Sequence, residues 1–145
     1  MTSLRRAQLQ VRQHASFDII LVEDDRDNSE MLKECIEMET PYRVLSLENA
    51  EELLQRLQEI SQIPPRLFVL DLWLPGMTGL ELYDHLYAFD ALQPVPAIII
   101  TASTPNEVMD KAIAERDLIL LLKPFDIKEL LRSIENTLVG PAQLI

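Results

Sequence analysis

Cysteine, histidine and basic charge are scarce in this chain, and each scarcity closes off a class of function. The single cysteine among 145 residues, Cys35, cannot form an internal disulfide, and nothing else calls for an oxidising compartment. It falls beside Leu32 and Ile36 at helical spacing and reads as a core thiol. The two histidines, His14 and His85, have no partners at metal-ligand spacing, so they read as surface or packing residues. Thirteen basic residues face 24 acidic ones, a formal net charge of −11, and such a surface repels nucleic-acid phosphates. No window reaches the roughly 18 apolar residues of a membrane span. The first sixteen residues, MTSLRRAQLQVRQHAS, are basic but lack the apolar core of a secretory signal. A cytoplasmic protein is the expectation.

What remains is the composition of one globular domain, 48% hydrophobic and 26% charged. No internal repeat, low-complexity tract or second domain is evident. Residues 1–16, with Arg5, Arg6 and Arg12, read as an extension expected to be disordered, 17–139 as the domain, and 140–145 as a short tail.

Five short apolar runs punctuate the domain: Phe17 to Val22, Tyr42 to Leu47, Leu67 to Leu70, Val95 to Ile100 and Leu118 to Leu122. DIILV, LFVL and AIII are continuous rather than alternating, as strands buried on both faces should be. YRVLSL alternates more and predicts an edge strand. LILLL is too short for a helix and is closed by Pro124.

Between the runs, helix-start signals recur. A capping residue stands three positions before a glutamate in Asp27 and Glu30, Asn49 and Glu52, Thr78 and Glu81, Thr104 and Glu107, and Asp126 and Glu129. Each pair can satisfy free first-turn amides and places negative charge at the positive end of the helix dipole. Pro105 at a first helical position strengthens the fourth. Apolar stripes follow, clearest in Leu53, Leu54, Leu57, Ile60 and in Ile127, Leu130, Leu131, Ile134, Leu138. Strands alternating with helices predict right-handed βαβ units, hence an α/β fold with helices on both faces of a parallel sheet. Function in such sheets lies outside the carboxyl ends of the strands.

Those ends carry chemistry. The first strand runs into Glu23-Asp24-Asp25, the third into Asp71, the fourth into Thr101 and the fifth into Lys123-Pro124. A parallel sheet brings all four to one edge, gathering carboxylates, a hydroxyl and an ammonium. Clustered carboxylates repel one another, and a hard divalent cation relieves the repulsion. Magnesium suits oxygen ligands and a phosphate oxygen best, with manganese as a substitute. Carboxylate, magnesium and lysine together suit phosphoryl transfer, with Asp71 as the attacking group and Lys123 pairing with phosphoryl oxygens or, beforehand, with Asp71.

The segments IILVEDDRDN, LFVLDLWLPGMTGLEL, AIIITAS and LLLKPFD resemble the signatures of two-component response-regulator receiver domains, including CheY-like single-domain members, over about residues 17 to 139. The spacings fit: 47 residues from Asp24 to Asp71, 30 to Thr101 and 22 to Lys123. The resemblance implies a flavodoxin-like (βα)5 fold, doubly wound, with strand order 2-1-3-4-5. It implies Asp71 as phosphoacceptor, Asp24 as metal ligand, Glu23 acting on the metal through water, and the Trp73 backbone carbonyl completing the metal site. Thr101 matches the switch hydroxyl, Ala102 the small neighbour that leaves the site open, and Lys123 the lysine before a cis-proline. The implied partners are a histidine kinase or histidine phosphotransfer protein and a downstream target. The target, or a second copy, would dock on the face of the fourth helix, fifth strand and fifth helix, where Val108, Met109 and Ile113 fall. Such a domain is a phosphoacceptor that promotes its own phosphorylation and dephosphorylation, not an enzyme acting on other substrates.

Two departures stand out. The family's usual aromatic three residues before the lysine is Leu120 here, and the preceding loop reads Ala114-Glu115-Arg116-Asp117 rather than carrying Gly-Ala. Leu120 keeps open a phosphorylation-independent pseudo-receiver. A haloacid-dehalogenase-type phosphatase would draw on Asp25-Arg26-Asp27, but it has no cap insertion here, no acidic pair after the lysine, and no use for the DLWLPG segment.

Overall fold

The computed structural model describes residues 17–102 and 106–140, so the expected extension (1–16) and all but the first residue of the expected tail lie outside the described residues. The strands are β1 (Ile19–Val22), β2 (Val44–Leu47), β3 (Leu67–Asp71), the two-residue β4 (Trp73–Leu74) and β5 (Met77–Thr78), β6 (Ala97–Thr101) and β7 (Ile119–Leu122). The helices are α1 (Arg26–Glu39), α2 (Ala50–Leu54), α3 (Leu57–Gln62), α4 (Gly79–Tyr87), α5 (Glu107–Glu115) and α6 (Ile127–Leu138), with a 3-10 turn at Asp90–Leu92.

Five strands form one parallel sheet in the order β2-β1-β3-β6-β7. With β4 and β5 set apart as a small antiparallel ladder, this is the expected 2-1-3-4-5 order of a doubly wound, flavodoxin-like fold. The sheet buries both faces. Ile20, Val22, Phe68, Leu70 and Ile99 point to one side, against Leu53, Ile60, Leu82 and Leu86. Ile19, Leu21, Val69, Ile98 and Ile100 point to the other, against Leu32 and Ile36 of α1 and Leu130 and Ile134 of α6. The period-two alternation of a strand is thus satisfied by apolar residues on both sides, which is why the runs read as continuous. β2 is an edge strand, as its alternation predicts. β7 is the other edge, and its Ile119 and Leu122 stay partly exposed.

Helix starts follow the caps with two corrections. Asn49 Oδ1 accepts from Glu52 N (2.9 Å), Thr78 Oγ1 from Glu81 N (3.1 Å), and Asp126 Oδ1 from Lys128 N (3.1 Å). α1 is capped by Asp25, which accepts from Asn28 N at 3.1 Å, rather than by Asp27. Asp27 instead adds first-turn charge, because the chain needs only Glu23 to Asp25 to turn from β1 into the helix. α5 is capped by Asn106, accepting from Met109 N at 2.8 Å, while Thr104 and Pro105 lie outside the described residues. The helix expected across the Leu53–Ile60 stripe is interrupted at Gln55–Arg56, and no residue there explains the break. Cys35 is half-buried rather than a full core residue, and Asp117 adopts a left-handed φ of 55° in the loop that carries no glycine.

One glycine ties the fold to the strand ends. Gly79, the first residue of α4, donates its N–H to Leu72 O (2.7 Å), and a Cβ there would lie 2.4 Å from the carbonyl oxygen of Asp71. Backbone cannot yield as a side-chain tip can. Gly79→Ala should therefore lower stability by about 1–3 kcal/mol, the usual cost of overpacking, and displace the Asp71 loop. Denaturant unfolding and backbone amide shifts of residues 71–74 would check it; an unperturbed variant would show that the contact relaxes freely.

Candidate functional site

Register decides what the strand ends bring together. Val22 lies beside Leu70, Asp71 beside Ile100, and Thr101 beside Leu122, so Glu23, Asp71, Thr101 and Lys123 emerge along one edge. Glu23, Asp71 and Thr101 are buried, Lys123 is half-buried, and Asp24 and Ala102 are exposed.

Lys123 is the central contact. Its Nζ donates to Asp71 Oδ2 at 2.9 Å and to Glu23 Oε2 at 3.0 Å. Burial pulls the ammonium's pKa down, but its hydrogen bonds to the two carboxylates outweigh burial and hold it above the ordinary lysine value. The backbone fixes Lys123 as well, since its N–H donates to Thr101 O at 2.7 Å. The Lys123–Pro124 peptide is cis. The second Asp71 oxygen accepts from Trp73 N–H at 3.0 Å. Burial, aided by hydrogen bonding to Asp71, pushes Glu23 up from 4.5 to about 7 despite the nearby lysine.

Glu23, Asp24 and Asp71 each present a carboxylate oxygen, all within 4.8 Å of one another. Two magnesium–oxygen bonds of about 2.1 Å allow ligand oxygens up to about 4.2 Å apart, close to this spacing. Three carboxylates against one ammonium also leave two negative charges for a dication to cancel. The donor set fits a hard divalent ion.

Glu23, Asp24, Asp71, Trp73, Thr101, Ala102 and Lys123 all lie at or next to this edge in the chain, and Leu120 does not. That side chain is half-buried in β7, beside Ile99, and packs against the core on the side of α2 to α5, so no ring stands where the family's usually does. Asp25, beside the cluster in sequence, serves as a helix cap. Of the apolar residues on α5, Ile113 is buried and Met109 packs partly on the core, whereas Val108 is 81% exposed. Trp73 is 53% exposed. Two features escape sequence reasoning: the bond from Lys123 to Glu23, a hundred residues away, and the packing of Gly79 onto Asp71. The Thr78-Gly79 pair at a helix start was the one available signal for the second.

A five-stranded parallel sheet of this order with such an edge defines a class, and comparison with known proteins identifies it. The family model described as response regulator receiver domain matches residues 19–135. The chain belongs to that family and is a signalling domain of two-component regulation. It is 31% identical over 122 residues to the response regulator receiver protein CpdR of Brucella abortus, covering 84% of this chain and 97% of that one. An uncharacterized 14.6 kDa protein of Leptolyngbya boryana is 32% identical, covering 84% and 90%. Among solved structures, the non-phosphorylated HemR receiver domain of Leptospira biflexa superposes with a TM-score of 0.72 at 29% identity, covering 83% of this chain and 92% of that one. Among the described residues, no helix is long and apolar enough to cross a membrane.

The raised Glu23 pKa has a definite sign. The folded state binds this proton more tightly than the unfolded chain, so the stabilisation is complete below pH 4.5 and fades as pH rises through about 7. In magnesium-free buffer, Glu23→Gln should gain on wild type across that window, by up to about 3 kcal/mol at 1.36 kcal/mol per pKa unit. Urea denaturation of both proteins from pH 4 to pH 8 measures the difference; parallel curves would mean that Glu23 titrates normally.

Proposed function

We propose that Asp71 accepts a phosphoryl group from a histidine kinase or histidine phosphotransfer protein and that the resulting acyl phosphate switches partner binding. The observation that carries this reading is the Lys123 ammonium held at 2.9 Å from the Asp71 carboxylate, at the end of β3. An Asp71 oxygen attacks phosphorus, the bond to the donor imidazole breaks, and the imidazole leaves with its nitrogen lone pair. Lys123 moves from the carboxylate to the phosphoryl oxygens, its charge offsetting theirs. Asp24, Asp71 and the Trp73 carbonyl would hold magnesium or manganese, with Glu23 acting through water, and the ion would supply charge neutralisation at the phosphoryl oxygens.

Thr101 and Ala102 transmit the change. Phosphorylation adds about 1.5 to 2 negative charges, and the Thr101 hydroxyl can donate to a phosphoryl oxygen. Ala102 is small enough to leave the phosphoryl position open. Without a ring at Leu120, coupling runs through the loop after Thr101 and into α5. The target, or a second copy of this chain, meets the face of α5, β7 and α6, where Ile119 and Leu122 are partly exposed.

Intact-mass measurement with acetyl phosphate and magnesium should find one phosphoryl group per chain, and none in Asp71→Asn. Asp24→Asn, which removes the charge of one carboxylate ligand, should weaken magnesium binding at least about tenfold. Asp25→Asn, which keeps a capping side chain, should leave that affinity nearly unchanged. The fluorescence of Trp73, the chain's one tryptophan, reports the titration. Equal labelling of wild type and Asp71→Asn would reject the acceptor. An unlabelled wild type would point to the phosphorylation-independent module, and steady release of phosphate from esters to a phosphatase.

A further inference from the structure

A second surface feature lies outside the acidic edge. Between α4 and α5 runs an apolar groove of about 560 Å³, floored by Leu72, Leu80 and Met109 and lipped by Trp73 and Val108. Both lips are exposed, Trp73 by 53% and Val108 by 81%, and with the apolar floor they form a contiguous patch of the kind that marks an interaction site. The groove is blind at one end. One turn past Leu80 and Ala112, the helices are clasped by Arg116, whose Nε and Nη2 donate to Asp84 at 2.8 and 2.9 Å. Arg116 also donates to Ala112 O at 2.8 Å, which holds the clasp in place.

Dimensions and charge narrow the occupant. On α5 the lining runs from Asn106 to Ala112, about 9 Å at 1.5 Å per residue, the reach of two anchors one helical turn apart. The volume is in the range that accepts several side chains. The two flanking segments, 78–84 and 106–112, carry Glu81, Asp84, Glu107 and Asp110 against a single base, Lys111. Lys111 lies 4.0 Å from Glu115, and Asp84 is neutralised by Arg116. Apolar walls with Glu107 in the lining, on a chain of net charge −11, call for apolar anchors with a basic flank.

We infer that the α4–α5 groove is a docking site for an amphipathic helix of a partner protein, bearing two large apolar residues at i and i+4 and lysine or arginine alongside. This surface is separate from the acidic edge and does not depend on Asp71 being phosphorylated. It does lie against it: Trp73, one lip, gives its N–H to Asp71, and α5, the other, follows Thr101 in the chain.

The test uses a synthetic helical peptide of about four turns with leucines at i and i+4 and lysines flanking them. Two controls replace the leucines with alanine or the lysines with glutamate. In magnesium-free buffer the leucine–lysine peptide should bind saturably and shift Trp73 emission to the blue, with each control at least tenfold weaker. Val108→Lys, at a site too exposed to disturb folding, should weaken binding at least tenfold while leaving the melting curve in place. Asp71→Asn should bind like wild type, so loss of the phosphoacceptor reading would not touch this one. Equal binding of the leucine and alanine peptides would reduce the attraction to bulk charge and overturn the proposal. So would an emission shift that follows protein concentration alone with a doubling of mass, which would put a second copy in the groove.

Discussion

Two buried carboxylates share one lysine ammonium at the carboxyl edge of the sheet, and much of the molecule exists to make that sharing affordable. Removing an ion from water costs several kcal/mol even after relaxation, and attraction recovers it only when the geometry is good. Good geometry here requires that β1, β3 and β7 end level with one another, because Glu23, Asp71 and Lys123 are separated by up to a hundred residues of chain. The parallel register sets that level, and the two apolar layers set the register. A slip of one residue in any of the three strands would turn the charged residue into a core face and an aliphatic one to the edge.

The balance is deliberately incomplete. One ammonium answers two carboxylates, with a third, Asp24, at the rim, and the shortfall appears as the raised affinity of Glu23 for a proton. This conflict between local charge and global packing marks a place where stability has been set aside for another purpose. A proton or a hard divalent ion could settle this local field, and under the function proposed above a phosphoryl group with its metal would be a third way to do so.

Much of this was readable in advance because the informative residues are contiguous with strong local signals. Continuous aliphatic runs named the strands, and Asn49, Thr78 and Asp126 named three helix starts, since a cap acts within three residues of itself. The acidic run before α1 was misread by two positions: Asp25 and Asp27 are both good caps, and only the tightness of the turn from β1 selects Asp25. The break at Gln55–Arg56 has no Pro or Gly to announce it. The bond between Lys123 and Glu23 was hidden for a different reason. Local pattern places both residues at the same edge, but which of several carboxylates an ammonium meets depends on angstrom-scale register. Exposure of Trp73 and Val108 was likewise invisible, because a helical or loop apolar residue looks alike whether it faces a core or an open groove.

The outer strand β7 carries no charged residue from Ile119 to Leu122, and it closes the sheet with its far side unpaired among the described residues. Such an edge is chemically ready to add another strand, and it lacks the lysines, prolines or bulges within it that commonly discourage this. A long-range term opposes such pairing: a net charge of −11 gives every copy the same sign. That barrier reaches about 10 Å at 0.1 M salt and only about 3 Å at 1 M. It also vanishes near the isoelectric point, about 4.5. Acid or concentrated salt therefore weakens the mutual repulsion that opposes pairing at this edge in dilute neutral buffer.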